Sequence, residues 1–494
     1  MAGCAGFRLP RCAECARCGS AWGEGPMRLW PLGLILLASC TQSEPLIDLA
    51  EGPPNVIIIA LDTFRADHVG VLGSDTAKTP ALDRFAAESI LFTDCAAAST
   101  WTLPSFASLY TGRLPSEHGT IGGSQHRLGD DEITLAERLK ANGYHNTAFI
   151  AVDYLGKEFG LDRGFDRFLD YSNFPVNERL KKYQRRVHDV FRAPPREPWF
   201  LLVHYFDAHD PYEPPLPFAR MYYEGDERAE PEDPARNIDV IYDGPNRVRQ
   251  DPRTRYRWLE GVRDLRFPVR QYAAGVSYVD HHVGVALDSL RSSGLLDESI
   301  VIVLADHGEH LTEHDIYFTH RLPYAETLQV PLMIRLPGAV HGGTRVHSPV
   351  SLIDLLPTLL ELLDLDPAAS VSGQSLTAVM RGEEPENRLL YAEYGALEDW
   401  NARSVWDARW RYTEIVDDGV RGVELFDRRA DPREQRNLAT ERTDLTRFYA
   451  AALDARFGAQ RPLLLDPSVV PQQELDPAVK ARLQALGYVD VGGQ

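Results

Sequence analysis

Two apolar runs of the chain each end in residues of the types that bind metal ions. The run Asn55–Leu61 is followed by Asp62, and the run Ser299–Ala305 is followed by Asp306 and His307. Because both runs are rich in Val and Ile, they predict buried strands of a parallel sheet. Ligands bind outside the carboxyl ends of such strands, so we expect the three side chains to lie at an active site of the α/β type.

A threonine lies between these two runs in the sequence. Pro104 suits the first turn of a helix, which places Thr102 near the N-cap. The N-terminus of a helix favours an anion, because unpaired N–H groups and the positive end of the helix dipole face it. If the two runs hold a divalent metal beside this hydroxyl, Thr102 loses its proton more easily and becomes a nucleophile. Taken alone, Thr102 is better explained as a helix cap.

The elements that must position these residues alternate along 55–365. Strands are predicted at 55–61, 147–151, 199–206, 300–305 and 331–335, and helices at 80–88, 104–111, 132–142, 271–293 and 351–363. This alternation predicts an α/β fold with a mostly parallel central sheet flanked by helices. The segment 216–268 is rich in charged residues and Pro, and it predicts a surface insertion of the kind that often forms a functional loop or lid.

The pattern changes near residue 385, where short strand-like pieces separated by turns are followed by a helical pattern at 440–457. This change predicts a small C-terminal antiparallel sheet with a helix behind it. We therefore expect three parts. Residues 1–52 form an N-terminal extension with a signal and a tether, residues 53–384 form an α/β domain, and residues 385–494 form a small α+β subdomain with a tail.

The N-terminal part has the plan of an export signal. From Met27, a cationic residue precedes a short apolar core, and the segment Leu37–Cys40 resembles the bacterial lipobox, in which the Cys is lipidated. This resemblance implies an exported lipoprotein at the periplasmic face of a bacterial membrane, anchored through Cys40. A plain cleaved signal peptide is the alternative. Residues 1–26 carry a Cys cluster that could bind metal, and we expect the natural start to be Met27.

The composition is that of a globular protein. The 494 residues are 44% hydrophobic and 25% charged, and the formal net charge is −20. So acidic a chain argues against nucleic acid or an anionic membrane face as the main partner. The oligomeric state is left open.

A series of short motifs occurs in order along residues 53–440. They are Ala-Leu-Asp-Thr-Phe-Arg-Ala-Asp-His at 60–68, Thr-Pro-Ala-Leu-Asp-Arg-Phe-Ala at 79–86, Thr-Leu-Pro-Ser at 102–105, Thr-Gly-Arg at 111–113, Asp-Ala-His-Asp-Pro-Tyr at 207–212, Asp-His-Gly-Glu at 306–309, Asp-Leu-Leu-Pro-Thr at 354–358 and Glu-Leu-Phe-Asp-Arg-Arg-Ala-Asp-Pro at 424–432. Each motif is weak by itself, but the ordered set resembles the sulfatase family of the alkaline phosphatase superfamily.

The resemblance implies a role for each of a set of site residues. These are Asp62, Asp306 and His307 as metal ligands, Thr102 as nucleophile and metal contact, and His209 and His320 beside the leaving group or the transferred anion. A His in such a place can donate to an anionic oxygen or protonate a departing alkoxide. Asp207 and His209 could join His320 in a second metal site. His118 is left open, and His204, inside an apolar strand, is expected to be a buried structural side chain.

The chain departs from the family pattern at several of these positions. Sulfatases carry a Cys or Ser that is oxidised to formylglycine where this chain has Thr102, and a secondary alcohol cannot form that aldehyde. The Arg expected four residues later is Phe106, the second Asp of the first metal motif is Thr63, and the Gly-Lys-Trp-His element is missing. His307 stands where an Asn is often found, which favours zinc or manganese over calcium.

These departures favour a metal-dependent hydrolase or transferase of phosphate or sulfate esters, with phosphodiester chemistry preferred over true sulfatase activity. The expected substrate is a small, glycan or lipid anionic ester. The alternative is a catalytically silent envelope protein that binds anionic glycans or partners, because Arg and Lys are lost from the pocket. The retained set of Asp and His residues argues against that alternative.

Overall fold

The computed structural model describes residues 45–50, 52–122, 126–243, 257–383, 388–395, 400–417, 420–458 and 475–485. The predicted signal, Cys40 and the N-terminal Cys cluster therefore lie outside the described residues, as does the predicted domain boundary at 384/385. In the described ranges, no helix is both long and apolar enough to cross a membrane.

A nine-stranded sheet forms the centre of the fold, in the order β4-β3-β5-β1-β6-β7-β2-β8, with β9 also paired to β2. Its strands are β1 (Asn55–Leu61), β2 (Ile90–Ala96), β3 (His145–Ile150), β4 (Arg167–Asp170), β5 (Trp199–Tyr205), β6 (Ser299–Ala305), β7 (Gln329–Arg335), β8 (Arg345–Val346) and β9 (Val350–Ser351). Among them, β7 runs antiparallel to both of its neighbours, and the other pairings of the sheet are parallel. The predicted mostly parallel sheet is confirmed.

The register of the central strands places the site residues at one edge of the sheet. β1, β5 and β6 are buried along their whole length, as expected for Val- and Ile-rich strands covered on both faces. Leu61 of β1 is paired with Ala305 of β6 and with Tyr205 of β5. The residues that follow β1 and β6 therefore leave the sheet side by side.

Helices cover the sheet. The α-helices of the described ranges are α1 (Pro80–Ala86), α2 (Thr102–Thr111), α3 (Pro115–His118), α4 (Leu135–Ala141), α5 (Val176–Arg192), α6 (Val240–Asp243), α7 (Arg266–Ser292), α8 (Ala325–Leu328), α9 (Leu355–Leu362), α10 (Thr377–Met380), α11 (Thr443–Phe457) and α12 (Pro477–Ala485). The five predicted helices of the α/β domain correspond to α1, α2, α4, α7 and α9. The predictions did not include β2, β4 or α5.

Helix α2 begins two residues earlier than Pro104 suggested. Thr102 is its first residue, and Trp101 before it is extended. Pro104 is in the first turn, where a missing N–H costs no intrahelical hydrogen bond. Thr102 is therefore inside the helix rather than at its cap, and its hydroxyl lies near Asp62 and His307.

A second, four-stranded antiparallel sheet follows, in the order β10-β11-β12-β13. Its strands are β10 (Leu390–Gly395), β11 (Trp400–Trp406), β12 (Trp410–Asp417) and β13 (Val420–Asp427). Tyr449 and Leu453 of α11 pack against this sheet. The predicted small C-terminal sheet and helix are confirmed.

The predicted insertion at 216–268 contains short helical turns and α6, and its residues 244–256 lie outside the described ranges. Hydrogen bonds join it to the domain surface: the hydroxyl of Tyr222 accepts from the N–H of Lys78 at 2.8 Å and lies 2.7 Å from the hydroxyl of Ser277 on α7. The described part of the insertion therefore packs on the domain through these polar contacts and through Ile238, Ile241 and Leu259, which are buried in the main hydrophobic core.

Candidate active site

Four of the residues singled out in the sequence meet beyond the carboxyl ends of β1 and β6. Thr102 Oγ1 lies 3.2 Å from His307 Nε2 and 3.5 Å from Asp62 Oδ2. His307 Nε2 is in turn 3.5 Å from Asp306 Oδ2 and 3.8 Å from Asp62 Oδ1. All four side chains are buried. Residues that are more than 200 positions apart in the chain thus form a single cluster.

Backbone contacts hold this cluster in place. The N–H of Asp62 donates to the carbonyl of Tyr205 at 2.9 Å, which ties the end of β1 to β5. Ser105, one turn into α2, donates its hydroxyl to the carbonyl of Asp306 at 2.6 Å. Helix α2 is thereby fixed to the end of β6, and this contact sets the distance between the Thr102 hydroxyl and the acidic residues.

A second set of contacts orients His307. Its Nδ1 lies 2.9 Å from the carbonyl of Gly308, so Nδ1 carries the proton and Nε2 presents its lone pair to Thr102. Gly308 is required at this turn, because a Cβ there would lie 2.0 Å from the carbonyl oxygen of Glu326. Metal-binding histidines are commonly held in this way, with one ring nitrogen on a backbone carbonyl.

The cluster fits a divalent cation. Asp62, Asp306 and His307 each offer one ligand atom, and these atoms lie within 4.8 Å of one another. Asp62 Oδ1 and Asp306 Oδ2 are buried and have no hydrogen-bond partner among the described residues. Two neighbouring buried carboxylates are costly without a compensating charge, and a cation would satisfy both. Asp207, His209 and His320 do not form a second such group in the described part of the chain.

The pKa values of the cluster reflect the cost of burying two carboxylates side by side. Burial, followed by the charge of Asp62, raises the pKa of Asp306 well above its ordinary value. Burial also raises the pKa of Asp62, but His204, His209 and His307 together outweigh it and leave that pKa lowered. Burial lowers the pKa of His307 to about 4, so this imidazole is neutral and able to bind a metal at neutral pH.

His209 and His320 lie beside the metal cluster. The ring of His320 is 4.5 Å from that of His307 and 5.5 Å from that of His209, centroid to centroid. The Nδ1 of His209 lies 2.8 Å from the carbonyl of Asp210. The ring of His209 stacks on that of Phe206, with 4.5 Å between the ring centroids. His320 therefore lies next to His307, whose Nε2 contacts the Thr102 hydroxyl, and His209 lies behind His320.

Sequence reasoning missed two residues of this pocket. His204 is buried as expected, but its Nε2 lies 3.2 Å from Asp62 Oδ2. Glu309 is buried with Oε1 3.8 Å from His320 Nδ1. Burial lowers the pKa of His209, but Asp210 above all, then Asp62 and Glu309, raise it to about 9. The position of Glu309 in the Asp-His-Gly-Glu motif could have pointed to it. Nothing in the apolar run around His204 signals its contact, which depends on strand order.

His118, which the sequence left open, has a structural environment. Its ring Nε2 lies 2.9 Å from the hydroxyl of Ser108 on α2, and its Nδ1 accepts from the N–H of Thr120 at 3.2 Å. Burial lowers its pKa to about 3. The neutral imidazole thus links α2 to the chain after α3.

The positions where the chain departs from the family pattern are filled by packed side chains. Phe106 is buried with its ring edge-on to that of His204 at 5.5 Å. Thr63 has a φ of 52° and donates its hydroxyl to the carbonyl of Asp62 at 2.8 Å. Tyr154, in the turn after β3, lies edge-on to Trp101 at 5.5 Å. Phe106 thus places an apolar ring against His204, where the family pattern has a cationic Arg side chain.

The fold and site define an α/β enzyme with a buried cluster of acidic and His residues around a hydroxyl. The sequence model of the Sulfatase family matches residues 54–365, and the model of the N-sulphoglucosamine sulphohydrolase C-terminal region matches residues 312–453. The first match covers more than half of the chain, so this protein belongs to the sulfatase family of hydrolases.

Individual relatives are distant. A sulfatase of Formosa agariphila is 26% identical over 456 residues, which cover 83% of this chain and 87% of the relative. A solved 2-O GAG sulfatase superposes with a TM-score of 0.68 at 22% identity, covering 86% of this chain and 96% of the other. The phosphonate monoester hydrolase of Agrobacterium radiobacter superposes with a TM-score of 0.65 at 22% identity, covering 81% and 95%. At such identities the two structural matches show the fold alone.

Proposed function

We propose that this protein is a metal-dependent hydrolase or transferase of phosphate or sulfate esters, in which Thr102 is the nucleophile and phosphodiesters are the preferred substrates. The supporting observation is the buried Thr102 hydroxyl, 3.2 Å from the neutral His307 and 3.5 Å from the Asp62 carboxylate. Two buried carboxylate oxygens beside it lack hydrogen-bond partners among the described residues. Neither feature would be needed if Thr102 served only to cap the helix.

The residues of the pocket support phosphoryl transfer. Asp62, Asp306 and His307 would hold the cation, which when bound would stabilise charge on the nonbridging oxygens and lower the pKa of the Thr102 hydroxyl. The Thr102 hydroxyl gives its proton to solvent, and the Oγ–P bond forms as the bond from phosphorus to the leaving oxygen breaks. His209 or His320 donates a proton to the departing alkoxide. Water, or an alcohol in a transferase, then attacks phosphorus and gives its proton to that neutral His, while Thr102 leaves and regains a proton from solvent.

Phosphate is preferred over sulfate because of the chemistry of the nucleophile. A formylglycine hydrate can release sulfate by collapsing to the aldehyde, but a threonine ester has no such route and must be cleaved by attack at the central atom. Solved structures with this fold include phosphonate monoester hydrolases, so the fold accommodates attack at phosphorus in those proteins. The natural ester is proposed to be a small, glycan or lipid anion.

Thr102→Ala tests the nucleophile. We expect this variant to lose at least about 10³-fold in kcat/KM on aryl phosphate diesters, because the attacking oxygen is gone. Metal content by elemental analysis should stay at the parental ratio. The matched variant Asp306→Ala should instead lose the metal. Equal turnover by the parent and Thr102→Ala would show that Thr102 is not the nucleophile.

Parallel assays of aryl sulfates, phosphate monoesters and phosphate diesters test the substrate class, with zinc and manganese varied. Faster turnover of aryl sulfates than of both phosphate classes would contradict the proposed preference. A purified parent that holds no stoichiometric divalent metal would favour the silent binding protein instead.

A further inference from the structure

His204 occupies a position that the mechanism above does not use. It is the penultimate residue of β5, and the sheet register pairs it with Ala60 of β1, two residues before Asp62. Its Nε2 meets Asp62 Oδ2 at 3.2 Å, and both side chains are fully buried. Its backbone carbonyl accepts the hydroxyl of Tyr183 at 2.8 Å, which fixes this end of β5. The backbone of β5 is therefore fixed at the point where the buried ring meets the carboxylate.

The contact divides the two oxygens of Asp62 between different neighbours. Oδ2 faces His204 at 3.2 Å and also accepts the Thr102 hydroxyl at 3.5 Å, whereas Oδ1 lies 3.8 Å from His307 Nε2 and has no hydrogen-bond partner among the described residues. An imidazole N–H held 3.2 Å from one oxygen attracts that oxygen electrostatically, which limits rotation of the carboxylate and leaves the other oxygen available to a cation. His204 itself is outside the group whose ligand atoms lie within 4.8 Å of one another.

Helix α2 closes the other side of His204. Phe106 lies four residues after Thr102, on the same face of the helix, and its ring meets that of His204 edge-on at 5.5 Å. Neither ring nitrogen of His204 has a hydrogen bond of normal geometry among the described residues, so its Nε2 meets Asp62 Oδ2 through a 3.2 Å ion-pair contact. One helix face thus presents the hydroxyl to the carboxylates and an aromatic ring to the histidine behind them.

We propose that His204 is a positioning residue that holds Asp62 in the orientation the cation requires, with Phe106 excluding water from the contact. This inference rests on the proposed function, because it assumes that Asp62 binds a divalent metal. It assigns to His204 a contribution to metal affinity through Asp62, without direct contact to the ion or the substrate.

Metal affinity of three variants tests this role, measured by competition of Zn²⁺ or Mn²⁺ with a fluorescent chelator at one pH. His204→Leu removes the donor, and we expect Kd to rise about 10- to 100-fold. His204→Gln places an amide N–H near the position of Nε2, and Kd should stay within about threefold of the parent. His118→Leu, which removes another buried His bonded to α2, should leave Kd at the parental value.

The outcomes separate this inference from the proposed function. If His204→Leu is folded and binds metal as the parent does, or if the Gln and Leu variants lose affinity equally, the positioning role is refuted while the proposed function stands. If the parent binds neither ion, both fail. Circular dichroism checks folding, and His204→Met, which also lacks a donor, replaces the Leu variant if that variant does not fold.

Discussion

Among single residues, the two buried carboxylates of Asp62 and Asp306 dominate the electrostatics of the site. Asp62 and Asp306 are both fully buried within one cluster, and each keeps an oxygen without a hydrogen-bond partner among the described residues. His307 is neutral, so it does not offset their charge. Such an arrangement is unfavourable as it stands and becomes favourable when a cation occupies it. The stability of the fold and the metal affinity of the site are therefore linked.

Protonation of the buried His118 is expected to destabilise the folded protein in acid. Its pKa of about 3 is below the ordinary value near 6.5, so His118 takes up its proton at a lower pH in the folded state than in the unfolded chain. The stability contributed by this group is fully present above about pH 6.5 and is lost as the pH falls toward 3, with a slope of at most about 1.4 kcal/mol per pH unit. In urea unfolding at pH 7.5 and 5.5, we expect His118→Leu to lose less stability on acidification than the parent.

The variant has a lower absolute stability at pH 7.5, since its hydrogen bonds to Ser108 and Thr120 are removed. The informative quantity is the difference between the two pH values. The same pH slope in the parent and in His118→Leu would show that His118 does not titrate in this way.

At the scale of elements, the small sheet supports the loop that carries Asp306 and His307. Glu434 accepts the N–H of Ala325 at 2.9 Å, at the start of α8. The next two carbonyls of α8, those of Glu326 and Thr327, accept the N–H groups of Glu309 and Gly308 at 3.1 and 2.8 Å. A chain of contacts therefore runs from the C-terminal sheet to the proposed metal-binding loop.

The prediction at this scale concerns Glu434, whose Oε1 lies 2.9 Å from Arg411 Nε in a fully buried ion pair. Glu434→Gln leaves the guanidinium of Arg411 buried without its counter-charge, and we expect a loss of about 3–5 kcal/mol in the free energy of unfolding. Glu441→Gln is the matched control, because Glu441 pairs with Arg436 on the surface, and its loss should stay below about 1 kcal/mol. Equal losses in urea unfolding would contradict the role of the buried pair.

At the scale of the whole molecule, we propose that the chain is exported and anchored to a bacterial membrane through a lipidated Cys40. The support is the sequence around Cys40, which resembles a lipobox and is followed by a polar stretch. Such an anchor would hold the hydrolase at a membrane surface, next to lipid or glycan esters.

Cysteine variants test the anchor. In a bacterial host, protein expressed from Met27 should fractionate with membranes and incorporate labelled palmitate, and Cys40→Ser should lose both properties. Cys95→Ser is the control, because Cys95 is a free thiol buried in β2 and out of reach of lipidation. Parent protein recovered without lipid in the soluble periplasmic fraction would indicate a plain cleaved signal peptide.

The central elements could be predicted from sequence because their signals are local. The apolar runs of β1, β5 and β6 and the helical patterns of α1 and α7 are close to the observed bounds. Strand β2 was missed because Thr93 and Asp94 interrupt its apolar run, and α5 because it has a strongly polar sequence. In both cases packing against neighbours compensates for a weak local signal.

The types, spacing and order of residues were enough to predict the family, the fold class and the roles of Asp62, Asp306 and His307 beside Thr102, because these features need no coordinates. Which side chains are in contact depends on the tertiary structure. The parallel register brings Asp62 beside Asp306, and strand order brings His204 against Asp62. Packing of α2 then places Phe106 against His204. These contacts join residues far apart in the chain, and their distances follow from how the sheet and helices pack, which no local pattern encodes.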